Sequence, residues 1–346
     1  MEGPIPPRSK PLSCDALKSV IKSMSFEKRR EIHINLPSLR TINSLLPYTV
    51  EFVEITPNYS LQINGKLWIF HKKPEQSNPD DVDPNQTTIS IVDLDTVKRS
   101  PEFHVNKSCD EAYEKLFNVY LKNGSTIQEL HLRGVPKFLC EREDPDGLKL
   151  NISRIFMSIE IVDEFDSFIR FVNLDNLEYI HLLIVNEDNE GGECFGMLEK
   201  PAIINCKSLD LFLIASETPP INYFTGLRNQ TLLLYDNNFS VNDLRMLIEN
   251  WKTSDRPIGT GFCLYSFETD ANDMFNSLEL QDTFPVEIQC DLTDKPGIGI
   301  KMDNNRDLVL YQGQHQIRSG HSPALKMEVI ASGLTCIKLY FTTSYY

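Results

Sequence analysis

No stretch of about 18 apolar residues occurs in the 346-residue chain, so nothing in it has the length and character of a membrane-crossing helix. The opening MEGPIPPRSK lacks the apolar run of a secretory signal, and the expected compartment is cytoplasmic or nuclear. Positive charge is scarce: 34 Lys and Arg stand against 49 Asp and Glu, a formal net charge of −15. Such a surface repels phosphate backbones and anionic lipid, which argues against nucleic acid and membrane as partners. The eight cysteines are scattered, with no C-x-x-C pair and no tight Cys/His cluster. That pattern fits reduced structural thiols rather than a disulfide framework or a zinc site.

Short catalytic signatures are missing as well. There is no G-x-S-x-G elbow, no H-E-x-x-H pair and no G-K-[ST] phosphate loop. The glycine pairs GTG (259–261) and GIG (297–299) lack the third glycine of a dinucleotide turn. DDVDPNQ (80–86) has Gln86 where a calcium loop starting at Asp81 needs glycine, and Val92 stands where that loop needs its closing glutamate. The expectation is a chain that is not an enzyme and takes no cofactor and no metal.

What the chain does have is periodicity. Leu17, Val20, Ile21 and Met24 fall on one stripe of a helix that Ser13 or Asp15 is placed to cap. EKRREIHINL reads as a second helix carrying Ile32 and Leu36, stopped by Pro37, and LRTINSLL as a third carrying Leu39. From Tyr48 the period changes to two, and Asn64-Gly65 marks a tight hairpin. Residues 72–86, with three prolines among polar neighbours, read as a flexible linker.

Beyond it an apolar-x-x-apolar-x-apolar phrase recurs at Ile127/Leu130/Leu132, Ile152/Ile155/Met157, Leu177/Ile180/Leu182, Cys206/Leu209/Leu211 and, in looser form, Asn229/Leu232/Leu234. The starts lie 25, 25, 29 and 23 residues apart, inside the leucine-rich-repeat range of about 20–29. Helical signatures fill several intervals: Ser108 with Glu111 and Ser240 with Asp243 are capping-box pairs, and Asp163 precedes Phe165, Phe168 and Ile169. The fold class is therefore α/β: a short helical N-terminus, then a leucine-rich-repeat-like strand/helix stack with antiparallel C-terminal strands. A doubly wound parallel sheet would show similar spacings and is the open alternative. The implied units are 1–47, a small β element with its linker at 48–105, and 106–346 with a β cap from about 284. In that cap Ile298 and Ile300 face Leu308 and Leu310 across an Asp-Asn-Asn turn.

Several blocks together resemble the nematode F-box C family. They are PLSCDALKSVIKSM…EKRREIHINLPSLRTINSLLP, DEAYEKLFNVYLKNGSTIQELHLRGV…LKLNISRIFMSI, VNDLRMLIENWKTSDRPIGTGFCLYSF and GIGIKMDNNRDLVLYQG…LKMEVIASG. The phrase around Trp251, Arg256, Ile258, Gly259 and Thr260 is the most specific of them. That family's shared region is a domain of unknown function related to F-box-associated domains. The resemblance implies a substrate-recognition adaptor of a cullin–RING ubiquitin ligase. Its F-box-like helices would bind a Skp1-type adaptor through Pro11, Leu12, Leu17, Val20, Ile21, Met24, Ile32, Leu36 and Leu39. The alternative is that this stripe packs on the chain's own strands, leaving a non-catalytic interaction scaffold without the Skp1 contact.

Strand alternation locates the other surface. Residues between the core-facing positions point the opposite way, so the five phrases present Glu129, His131 and Arg133, then Arg154, Phe156 and Ser158, then Tyr179, His181 and Leu183. Ser208, Asp210 and Phe212, and Thr231, Leu233 and Tyr235, complete it. Arg133, Arg154, Tyr179, His181 and Tyr235 are the expected contacts with an unknown protein target, since rings and arginines dominate protein interfaces. In the doubly wound alternative, helices cover this face instead.

Overall fold

The computed structural model describes residues 12–72, 86–144, 147–158, 162–186, 194–215, 219–236, 238–266, 271–289, 295–317, 320–334 and 336–338. Pro11 and almost all of the expected linker lie outside them, while Lys72 and Gln86 belong to strands.

Three helices come first: α1 (Cys14–Lys22), α2 (Phe26–Asn35) and α3 (Pro37–Leu45). The Ser13 hydroxyl caps α1 by accepting from Ala16 N at 3.2 Å, Ser25 does the same for α2, and Pro37 opens α3 where its missing N–H costs nothing. What ties this segment together is polar. The buried Arg29 guanidinium donates to Asn43 Oδ1 and to the carbonyls of Asn43, Leu46 and Pro47, and lies 3.9 Å from the Tyr48 ring centre. A cation among the last carbonyls of α3 is where the helix dipole favours it. Phe26 joins the main core edge-on to Tyr48 and Tyr120, so the helices are fastened to the rest of the chain.

The strands β1 (Thr49–Thr56), β2 (Ser60–Ile63), β3 (Lys66–Lys72), β4 (Gln86–Asp93), β5 (Lys98–Arg99) and β6 (Phe103–Asn106) come next. The two-residue turn at Asn64-Gly65 forms as expected: Ile63 pairs Lys66, and Asn64 takes a φ of 50° that asparagine tolerates. Then come α4 (Cys109–Tyr120), β7 (Thr126–Leu132), α5 (Lys137–Cys140), β8 (Asn151–Ser158), α6 (Val162–Ile169) and β9 (Tyr179–Asn186). They continue with α7 (Pro201–Asn205), β10 (Ser208–Ala215), α8 (Ile221–Gly226), β11 (Thr231–Tyr235), α9 (Val241–Thr253) and β12 (Gly261–Tyr265). The chain closes with α10 (Ala271–Asn276), β13 (Thr283–Gln289), β14 (Lys295–Lys301), β15 (Arg306–Ile317), β16 (Gly320–Ala331) and β17 (Cys336–Lys338). Both capping boxes form, at Ser108–Glu111 on α4 and Ser240–Asp243 on α9.

All these strands belong to one mixed sheet. Its centre is parallel, and the strands β7 to β12 succeed one another in chain order. A doubly wound sheet needs a point where the order reverses, so that alternative is set aside. Every residue of the five phrases is buried, together with helix residues such as Phe117, Phe168, Ile203, Phe224, Leu244 and Trp251. The helices thus pack against one face of the sheet and form its core, each fully buried side chain contributing about 1.5–3 kcal/mol.

The small β element is not a separate unit. β1 pairs parallel with β7, Val50 beside Ile127 and Val53 beside Leu130, so it serves as the first rung of the parallel set. β2 then covers the outer edge of β1 in antiparallel register. At the far end the cap forms with Ile298 facing Leu310 and Ile300 facing Leu308, but β16 is the strand that covers the edge of β12. Covering both edges removes sites for unwanted strand pairing.

The phrase around Trp251 builds that junction. Arg256 is buried with its guanidinium 4.1 Å from the Trp251 ring and donates to the Leu227 carbonyl at 2.8 Å. Burial, reinforced by Arg228, lowers its pKa to about 10. Gly259 adopts a φ of +86° and its N–H meets the Val329 carbonyl at 2.8 Å, while Val329 N–H returns a bond to Thr260 at 2.9 Å.

Candidate interaction surface

The face of the parallel strands turned away from the helices carries the predicted outward positions. Cross-strand register lines them up in rows: Phe52, Glu129, Arg154, Tyr179, Ser208 and Thr231 in one, and Glu54, His131, Phe156, His181, Asp210 and Leu233 in the next. A third row runs through Ser158, Leu183, Phe212, Tyr235 and Tyr265.

Rings form a continuous ladder across this face. Centroid separations are 4.9 Å for Phe52–His131, 4.6 Å for His131–Phe156, 5.3 Å for Phe156–His181 and 4.6 Å for His181–Phe212. The ladder continues through Tyr235, 3.5 Å from Phe212, to Tyr265, 5.1 Å further on. Parallel strands stand about 4.8 Å apart, which is near the stacking distance, so the sheet itself sets the spacing.

Charged groups between the rings are paired with one another. Glu129 meets His131 Nε2 at 2.9 Å and Arg154 at 3.6 Å, and Arg133 Nε donates to Glu54 at 3.2 Å. Arg154 also lies 5.0 Å from the Tyr179 ring centre and 5.5 Å from that of Phe156. The Tyr179 hydroxyl donates to Asp210 at 2.7 Å. His181 is held neutral: burial, with the nearby His131 adding to it, lowers its pKa to about 4.

The two halves of the face differ. Over β10 to β12, Leu233, Tyr235 and Tyr265 bury one another against Phe212 and Cys263. Tyr235, expected on the exposed surface, is consequently only 8% accessible, because a large side chain on each of three adjacent strands leaves none standing free. Over β7 to β9 the face stays open, and Arg133, Arg154, Tyr179 and His181 are all at least partly accessible. Here a cavity of about 170 Å³ opens among His131, Arg133, Phe156, Ser158, His181 and Leu183, floored by Leu132 and Met157.

The helical segment divides similarly. Leu12, Val20 and Leu36 are exposed, as are Ile34 and Leu45, which sequence reasoning did not select. Leu17, Met24 and Leu39 are half-buried. Ile21 and Ile32, expected to grip a partner, are instead buried inside the chain at 1% and 8% accessibility. Both face the interior because α1, α2 and α3 pack on one another around the Arg29–Asn43 bonds. Arg29 was missed because a cation within EKRRE reads as solvated surface.

No helix among the described residues is long and apolar enough to cross a membrane. Among them, too, no group of three or more His, Cys, Asp or Glu is placed to hold a metal ion. No curated protein and no solved structure matches the chain. One stretch gives a match: residues 108–270, which run from α4 through β12 and build most of the open face, match the family model of a domain of unknown function, DUF3557.

Proposed function

We propose that the chain is a non-catalytic substrate-recognition adaptor of a cullin–RING ubiquitin ligase. We read its parallel strands as a leucine-rich-repeat-like stack that holds a target protein on the open face, with a Skp1-type adaptor engaged by the N-terminal helices. The observation that carries the reading is the uncovered half-face at β7 to β9, where rings, arginines and a cavity mix as they do at protein-binding hot spots. The resemblance of the helical segment to an F-box supports the adaptor contact, and Leu12, Val20, Leu36 and Leu45 are apolar groups available for it. An adaptor of this kind acts by raising the local concentration of target lysines at the ligase and contributes no reacting group.

The burial of Ile21, Ile32 and Phe26 within the chain favours a second reading, an interaction scaffold without Skp1 binding. Co-purification with Skp1 separates the two. Leu17→Asp with Ile21→Asp is unsuitable because Ile21 is buried and the pair would disrupt the segment itself. Leu12→Asp with Val20→Asp changes exposed positions, and we expect it to abolish co-purification while the melting transition stays unchanged. Failure of the wild-type chain to retain Skp1 would leave the scaffold reading. Arg154→Ala and Tyr179→Ala, in turn, are expected to reduce the set of proteins crosslinked to the open face without altering Skp1 retention.

A further inference from the structure

The cavity at the carboxyl ends of β7, β8 and β9 has a more specific chemistry than a general contact surface. At about 170 Å³ it falls below the roughly 300–1,000 Å³ of small-molecule sites, and its size suits one side chain. Its apolar walls are Phe156 and Leu183, while the core-facing Leu132 and Met157 border it from the sheet beneath.

Its polar lining is His131, Arg133, Ser158 and His181; His131 Nε2 already meets Glu129 at 2.9 Å, so the charged donor turned to an occupant is Arg133. His131, Phe156 and His181 are ranked along the sheet with ring planes tilted by only 34° and 30°, so each turns its faces to its neighbours and its edge outward. Ring edges carry the positive end of the quadrupole. Arg133, exposed at the mouth, donates its Nε–H to Glu54, and neither of its terminal nitrogens is hydrogen-bonded among the described residues. The nearby carboxylates Glu54 and Glu129 have each already accepted a donor. An occupant therefore needs an acceptor, best a carboxylate matching the guanidinium fork, within a few ångströms of an apolar group. One common peptide feature places both on a single residue, the free end of a chain.

We propose that this cavity receives the C-terminal residue of a target protein, its carboxylate on Arg133 and its apolar side chain between Phe156 and Leu183. The proposal rests on the reading of the open face as the target site. Capture of a chain-terminal carboxylate, elsewhere by backbone nests, is a recurring mode of peptide recognition, and here the Arg133 guanidinium would supply the donors.

The test uses the full chain and three fluorescein-labelled peptides of Gly-Ser repeats. One ends in Leu with a free carboxylate, one ends in Leu amide, and one ends in an amide but carries an internal Glu beside Leu. Fluorescence polarisation is expected to rise with the free acid only, amidation weakening binding by about tenfold or more. Arg133→Gln should weaken the free acid by a similar factor, and Ser158→Trp, which fills the cavity, should remove binding, with unchanged circular dichroism in both variants. Equal binding of acid and amide, preference for the internal Glu, or no binding of the free acid up to about 1 mM would each overturn the inference. Those results would leave the function standing if Arg154→Ala and Tyr179→Ala still diminish crosslinking to the face. Loss of that effect would instead count against the open face as the target site.

Discussion

His181 sits mid-ladder between Phe156 and Phe212, and its environment penalises the imidazolium. Its folded pKa of about 4 lies below the usual 6.5, so between these values the unfolded chain takes up a proton that the folded chain refuses. The stability this group contributes is complete above about pH 6.5 and is lost as pH falls through about 4, a total on the order of 3 kcal/mol. Urea denaturation tracked from pH 7 to pH 4 should therefore show a smaller decline for His181→Phe, which keeps the stacking but cannot titrate. An identical slope in the two proteins would place the acid sensitivity elsewhere. Arg29 makes a related point about single side chains: it is a cation whose burial is met by carbonyl groups at a helix end rather than by a carboxylate. Hydrogen-bond inventories, and not charge counts, explain why it is there.

Among the elements, the link between β12 and β16 depends on a backbone shape that glycine supplies. Nothing lies within 4 Å of where a Cβ on Gly259 would sit, so Gly259→Ala meets no steric obstacle and is strained only by its φ of +86°. That strain is expected to cost about 1–2 kcal/mol. It should appear as a lower urea midpoint, together with faster amide exchange at Gly259 and Val329, whose N–H groups cross the junction. Unchanged exchange at both would mean that the junction does not need this conformation.

The elements also show what a sequence can and cannot disclose. Leu130, Ile155, Ile180, Leu209 and Leu232 were legible because a strand under helices repeats its apolar residues at fixed intervals, and all five are core. The hairpin at Asn64-Gly65 and the caps at Ser108 and Ser240 were legible because they are local. The pairing of β1 with β7 was not, since Val50 and Ile127 are separated by a hairpin, a linker and a helix, and no periodicity spans that distance. On the candidate surface, alternation located Arg133, Arg154, Tyr179 and His181 on the outward face. It could not reveal that Tyr235 is buried by Phe212 and Tyr265, because alternation assigns a face and not what crowds it.

At the scale of the whole molecule, β7 to β12 lie side by side in the order in which they are joined. Each of these strands pairs with the one before it and the one after it, and if the set behaves as a repeat-like stack, force applied along the chain is expected to open it one neighbour at a time. Held in an optical trap by Leu12 and Lys338, the chain is expected to lengthen in successive steps. Unit spacings of 23–29 residues correspond to releases of about 8–10 nm each. A single rip spanning the entire length would contradict this. The same geometry bears on synthesis. Once α4 has emerged from a ribosome, β7 can dock on the waiting β1, and each later strand then finds its template already exposed, so the growing edge of the sheet advances at the pace of translation.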